Sequence, residues 1–198
     1  MSIKQNTQLL IEAVEKGDAA EVQRLIPISN PTTQNSKALV LAASHGHTEC
    51  VRLLTPVSDP HVGESAALFY AAHRGRSECV KLLIPVSEPT DYYRALDIAA
   101  MGGHTDCVKI LMSVVNTDER SNALQNASRC GRNDMVDLLF ETSDADTALN
   151  TLMEQYPNVP QYWQYLKDTV EAFHAQQQNQ VLRKEIAHSG AGMAQRKM

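Results

Sequence analysis

Residues 38–54 read ALVLAASHGHTECVRLL: small and apolar residues, one glycine, then a second apolar run. The pattern returns at 9–25 (LLIEAVEKGDAAEVQRL), 67–83 (ALFYAAHRGRSECVKLL), 95–111 (ALDIAAMGGHTDCVKIL) and 123–139 (ALQNASRCGRNDMVDLL). In register, Gly17, Gly46, Gly75, Gly103 and Gly131 form one column, and Val22, Val51, Val80, Val108 and Val136 form another. A fixed period of about 28 to 29 residues marks a solenoid, whose units bury their apolar faces against their neighbours. A stack of this kind points to a binding surface as its product.

Each unit reads as two short helices. In the second, Ser36 is expected to cap a first helix carrying Ala38, Leu39, Leu41, Ala42 and Ala43, with Thr7, Ser65 and Ser121 in the same column. Gly46 then supplies the left-handed residue that ends the helix. Thr48 and Glu49 are expected to open the next as N-cap and first-turn carboxylate, a device repeated at Ser77/Glu78, Thr105/Asp106 and Asn133/Asp134. Cys50, Val51, Leu53 and Leu54 give the second helix an apolar stripe. Between units stand PISNP, PVSDP and PVSEP. The proline pairs Pro27/Pro31, Pro56/Pro60 and Pro85/Pro89 are expected to stop the helix and hold the chain extended.

The chain has 198 residues, 43% hydrophobic and 21% charged, with a formal net charge of -5. This suits one soluble array with a continuous core. Its apolar runs break well short of the ~20 residues that a membrane span requires. MSIKQNTQ has neither the basic nor the apolar region of a signal peptide, so the expected compartment is the cytosol, with no membrane association. Cys50, Cys79 and Cys107 share a column, which in a stack sets them one helix apart, about 8 to 10 Å. That exceeds the ~7 Å reach of a disulfide. They read as packing residues, and Met135 fills the equivalent place in the last unit. His47 and His104 also share a column, but a spacing of whole repeats with no CxxC or HxxxH cluster argues against a metal.

ALxxAAxxGHxECVxLL resembles the ankyrin repeat, and Ala38 to Leu54 matches it almost position for position, with the likeness extending over roughly residues 3–142. Two departures stand out. The TPLH tetrapeptide is replaced by Ala38-Leu39-Val40-Leu41 and its counterparts, and the period is four or five residues short of the usual ~33. The resemblance implies an all-α ankyrin-repeat solenoid of stacked helix-turn-helix pairs. The shortfall lies where the family projects β-hairpin fingers, so these are expected to be shortened or absent. Asp146 and Ala148-Leu149 continue the register, giving an array over 1–156 of about five repeats and a partial sixth. Trp163, Leu166, Val170 and Phe173 are spaced three and four apart and mark an amphipathic helix within 157–186. It is read as the C-terminal capping helix, the alternative being a partner-binding or self-associating helix that includes Tyr162, Tyr165 and the Gln-rich run 176–180. Residues 187–198 are expected to be a disordered tail.

In the resembled family ligands lie across the concave face, and the two residues before each glycine point into it. Here these are Glu15/Lys16, Ser44/His45, His73/Arg74, Met101/Gly102 and Arg129/Cys130. Lys16, Arg74 and Arg129, with His45 and His73, face a single acid in this column, which suits a partner with an acidic surface; Met101 adds an apolar contact. Tyr92 and Tyr93 stand just ahead of a first helix, either as a contact pair on the rim or as filling for the shortened loop.

GxSxG, a phosphate-binding glycine loop, HExxH and zinc spacings are all lacking, so no catalytic residue, cofactor or metal is expected. The acidic balance argues against nucleic acid as the main ligand. The reading is a protein-binding module without enzymatic activity, monomeric or weakly self-associating through the C-terminal helix. Alternatives are an inhibitor, an immunity protein or a secreted effector in a host cytosol on the same scaffold, or a minor activity around Tyr162, Trp163 and His174.

Overall fold

The structure, a computed structural model, describes residues 2–140 and, beyond them, 167, 168, 171, 172, 175, 178, 179, 182 and 183. The chain divides into two compact units, Met1–Leu139 and Phe140–Met198. The first is built of helix pairs: α1 (Ile3–Lys16) with α2 (Ala19–Leu25), α3 (Thr33–His45) with α4 (Thr48–Leu54), and α5 (Val62–His73) with α6 (Ser77–Leu83). Then come α7 (Tyr92–Gly102) with α8 (Thr105–Met112), and α9 (Thr117–Arg129) with α10 (Asn133–Phe140). No strand occurs among the described residues, so the shortened linkers carry no β-hairpin there.

Packing follows the columns of the sequence. The first helices stack in one row, α1 on α3, α3 on α5, α5 on α7 and α7 on α9, and the second helices α2, α4, α6 and α8 stack in another. Leu10, Leu39, Leu68, Leu96 and Leu124 are fully buried between the rows. So are Val22, Val51, Val80, Val108 and Val136 from the second helices. A Leu or Val buried this completely contributes about 1.5–3 kcal/mol, and the ladder delivers that in every repeat. Small residues at Ala42/Ala43, Ala71/Ala72 and Ala99/Ala100, all at 0% exposure, let the first helices approach closely. Cys50, Cys79 and Cys107 lie buried in the second row as free thiols, in the packing role their column suggests.

Three local expectations are corrected. The Ser/Thr column does not cap the first helices, because these begin earlier: Thr7 and Ser36 lie inside α1 and α3. Their hydroxyls instead hold the linker that follows, accepting from the N–H of Asn30 and Asp59, each at 3.0 Å. Real caps stand upstream at two ends, where Ser2 with Gln5 and Asn116 with Glu119 form reciprocal capping boxes. Thr48, Ser77 and Thr105 are the first helical residues rather than the caps, which are His47, Arg76 and His104. Finally, the first proline of each pair does not extend the chain. Ile26–Ile28, Thr55–Val57 and Ile84–Val86 are 3-10 turns with proline in their first positions, where its missing N–H costs nothing. Extended backbone begins at Ser29, Ser58 and Ser87.

At three junctions the residue after the glycine joins one repeat to the one before. His104 Nε2 lies 2.9 Å from the His73 carbonyl, Arg76 Nε donates to the Ser44 carbonyl at 3.3 Å, and Arg132 Nε donates to the Met101 carbonyl at 3.0 Å. These carbonyls belong to the last turns of α5, α3 and α7, which lack helical partners of their own. The same side chains cover the preceding glycines. A Cβ on Gly75, already at φ +68°, would meet His104 Nδ1 at 2.6 Å. Glycine is thus required there twice over, by the left-handed backbone and by the ring against it.

In the second unit the described residues are all helical and exposed. Asp146 and the partial sixth repeat, Trp163, Leu166, Val170 and Phe173 of the capping helix, and the tail lie outside the described residues.

Candidate functional site

Along each first helix the side chains not used in packing recur every fourth residue, one above the other. Aligned on the glycines, three rows cross the helices. The row next to the glycines holds Lys16, His45, Arg74, Gly102 and Cys130. Four residues upstream are Glu12, Leu41, Tyr70, Ile98 and Asn126, and four further Gln8, Lys37, Ala66, Arg94 and Asn122. None of these fifteen positions is buried.

Most residues expected at the site lie on this face. Lys16, His45, Arg74, His73, Met101 and Arg129 are all exposed on or beside the first row, drawn from five successive repeats. Tyr93 is 39% exposed near the start of α7. Tyr92 is not presented as a rim contact: its ring is half-buried and its hydroxyl donates to the carbonyls of Ile84 at 2.7 Å and Ser87 at 3.3 Å. It fills the loop. One repeat on, Arg120 reaches the equivalent carbonyls of Met112 and Val115 at 2.7 and 3.2 Å, so the column ties down linkers whether it carries a phenol or a guanidinium.

Residues missed in the sequence are those of the other two rows. Leu41, Tyr70 and Ile98 form an accessible apolar line across α3, α5 and α7, with Tyr70 43% exposed. Phe69 stacks edge-on against Tyr70 at 5.4 Å, and the Arg94 guanidinium lies 5.8 Å over the Phe69 ring. The signal was present as a spacing, since each lies three or four residues before a residue already singled out.

Electrostatically the two rows of helices differ. On the second helices three of the four cations are paired within the helix, Arg24 with Glu21 at 2.6 Å, Arg52 with Glu49 at 3.4 Å and Lys81 with Glu78 at 2.6 Å, and among the described residues only Lys109 of α8 has no such pair. On the first-helix face the three central repeats carry Lys37, His45, His73, Arg74 and Arg94. Among the described residues no ion pair joins Lys16, Lys37 or Arg74 to a carboxylate. Besides Glu12, which ends the apolar row, an acid next to it is Asp97, where burial pushes the carboxyl up to about 6 against the opposing hydrogen bond from Asn126. Its Oδ1 is buried without a hydrogen-bond partner. Burial also raises the thiols of Cys50 and Cys79, and takes Cys107 to about 11.

Among the described residues no group of three or more His, Cys, Asp or Glu side chains is placed to hold a metal ion. Nor, among them, is any helix long and apolar enough to cross a membrane. A family model described as ankyrin repeats (3 copies) matches residues 10–92 and again 68–151, together well over half of the chain. No curated protein matches it.

Proposed function

The chain belongs to the ankyrin-repeat family, whose stacked repeats serve as protein-interaction modules, and we propose that it binds a partner protein with an acidic surface across its first-helix face. It does so in the cytosol, as a monomer or weakly self-associating through the C-terminal helix, and without catalysing a reaction. Binding works by preorganised complementarity: the side chains stand on packed helices, so little ordering cost opposes association. The observation that carries this reading is the contrast between the two rows of helices. Three of the four cations of the second helices, Arg24, Arg52 and Lys81, are paired within their own helix, Lys109 being the exception, whereas Lys16, Lys37 and Arg74 all project from the first-helix face with no such partner among the described residues.

The test is quantitative affinity capture with the parent chain, a Lys16→Glu/Arg74→Glu variant and an outer-face control, Arg52→Glu/Lys81→Glu. A partner lost with the first variant and kept with the second is the expected result. Equal recovery on all three would move the binding surface elsewhere.

A further inference from the structure

The face has a pattern finer than net charge, and it specifies the shape of what lies on it. Leu41, Tyr70 and Ile98 run along the middle row of the three central repeats, while the outer repeats carry Glu12 and Asn126 in that row. The apolar line therefore ends at both sides. On one edge of it stand Lys37 and Arg94, four residues upstream on their helices; on the other stand His45 and Arg74, four residues downstream.

Helical geometry sets the dimensions. Positions eight residues apart on one helix are separated by about 12 Å along its axis, which is close to the 10–12 Å diameter of an α-helix with its side chains. Crossing from α3 to α7 takes two interhelical steps of 8–10 Å, so the apolar line is roughly 16–20 Å long. A helix of that length has about 11–13 residues. An extended strand is narrower and would leave one cationic edge without a partner.

Resting on the proposed function, we propose that this face receives an acidic amphipathic helix of about three turns, laid across α3, α5 and α7. Its apolar stripe packs on Leu41, Tyr70 and Ile98, and carboxylates on its two flanks lie over Lys37 and Arg94 on one side and His45 and Arg74 on the other. Tyr70, exposed and braced by Phe69, is the central anchor. The charged edges fix the helix in the furrow and exclude basic segments of the same hydrophobicity.

The test is selection from a displayed library of random peptides about sixteen residues long, enough for ~24 Å of helix. The baits are the parent chain, Tyr70→Ser and Arg74→Glu. Both substituted side chains are exposed, so the fold is kept, and circular dichroism checks it. Parent-selected peptides are expected to show large apolar residues three and four apart with Asp or Glu on both sides. Synthesised and labelled, they should gain helical dichroism on binding and lose about tenfold in affinity with either variant. Changing the facing Glu to Lys should restore binding to Arg74→Glu.

Selected peptides that depend on Tyr70 but are basic, neutral or bound without helix would leave the face standing and overturn the helical partner. Peptides indifferent to both variants, or no enrichment at all, would overturn it too, and indifference would also count against the proposed face. A single-stranded oligonucleotide of about sixteen nucleotides that binds as tightly, with a steep salt dependence lost in Arg74→Glu, would assign the cations to nucleic acid instead.

Discussion

Burial makes the thiols of Cys50, Cys79 and Cys107 poor acids, and the thiolate is the reactive form. Cys130, at the end of α9, is exposed. A thiol reagent at pH 8 should therefore label Cys130 rapidly and the other three only on unfolding; rapid labelling of a second cysteine would place a supposed packing residue at the surface. Asp97 carries the opposite kind of cost. Folded, it holds its proton up to about pH 6, whereas its ordinary value is 3.8. The native state thus binds more protons between these values, so this group favours folding most below pH 3.8 and loses that contribution as the pH rises through 6. Asp97→Asn should be more stable than the parent above pH 6, by on the order of 1 kcal/mol given the group's part exposure. The gap should close between about pH 6 and 4 in melts taken across that range. A gap that stayed constant with pH would show that Asp97 is charged in both states.

At the scale of the helix, Gly17, Gly46, Gly75 and Gly103 each sit under a side chain of the next repeat, and the stack contains its own control. Gly75 and Gly131 have nearly the same backbone, φ +68° and +67°, but a Cβ at Gly75 would strike His104 whereas one at Gly131 meets nothing within 4 Å among the described residues. Ala at either position should cost about 1 kcal/mol for the left-handed backbone. Gly75→Ala should cost roughly 1 kcal/mol more through the collision, part of which His104→Ala in the same chain relieves. Equal losses of denaturation midpoint at the two glycines would mean that the ring moves aside freely. The glycines and the buried Leu and Val ladders were legible in the sequence because the same physical demand recurs five times in register. The helix starts were not, since a hydroxyl such as that of Ser36 satisfies a backbone N–H equally well at its own helix end or in the linker beyond, and only the fold chooses. The cations beside the glycines were legible as helix-end residues on the ankyrin pattern. The line at Leu41, Tyr70 and Ile98 was not, because an apolar residue in a helix reads as core until its angle to a buried neighbour such as Leu39 is known.

Across the whole array, each first helix has its terminal carbonyl bound by the repeat that follows it, never by the one before, in the three junctions formed by Arg76, His104 and Arg132. His104→Ala should therefore quicken amide exchange at Gly75 and Arg76, whose N–H groups close the end of α5, more than in the repeat downstream of the substitution. Quickening that fell mainly downstream would reverse this direction. The repeats are laid as roof tiles are, each lapping the open edge of its predecessor. A tile added at the upper end is sealed at once by the one below it, while a tile added at the lower end presents a bare edge. Such a stack has a grain, and two chains built from the same repeats in reversed order would not be the same object.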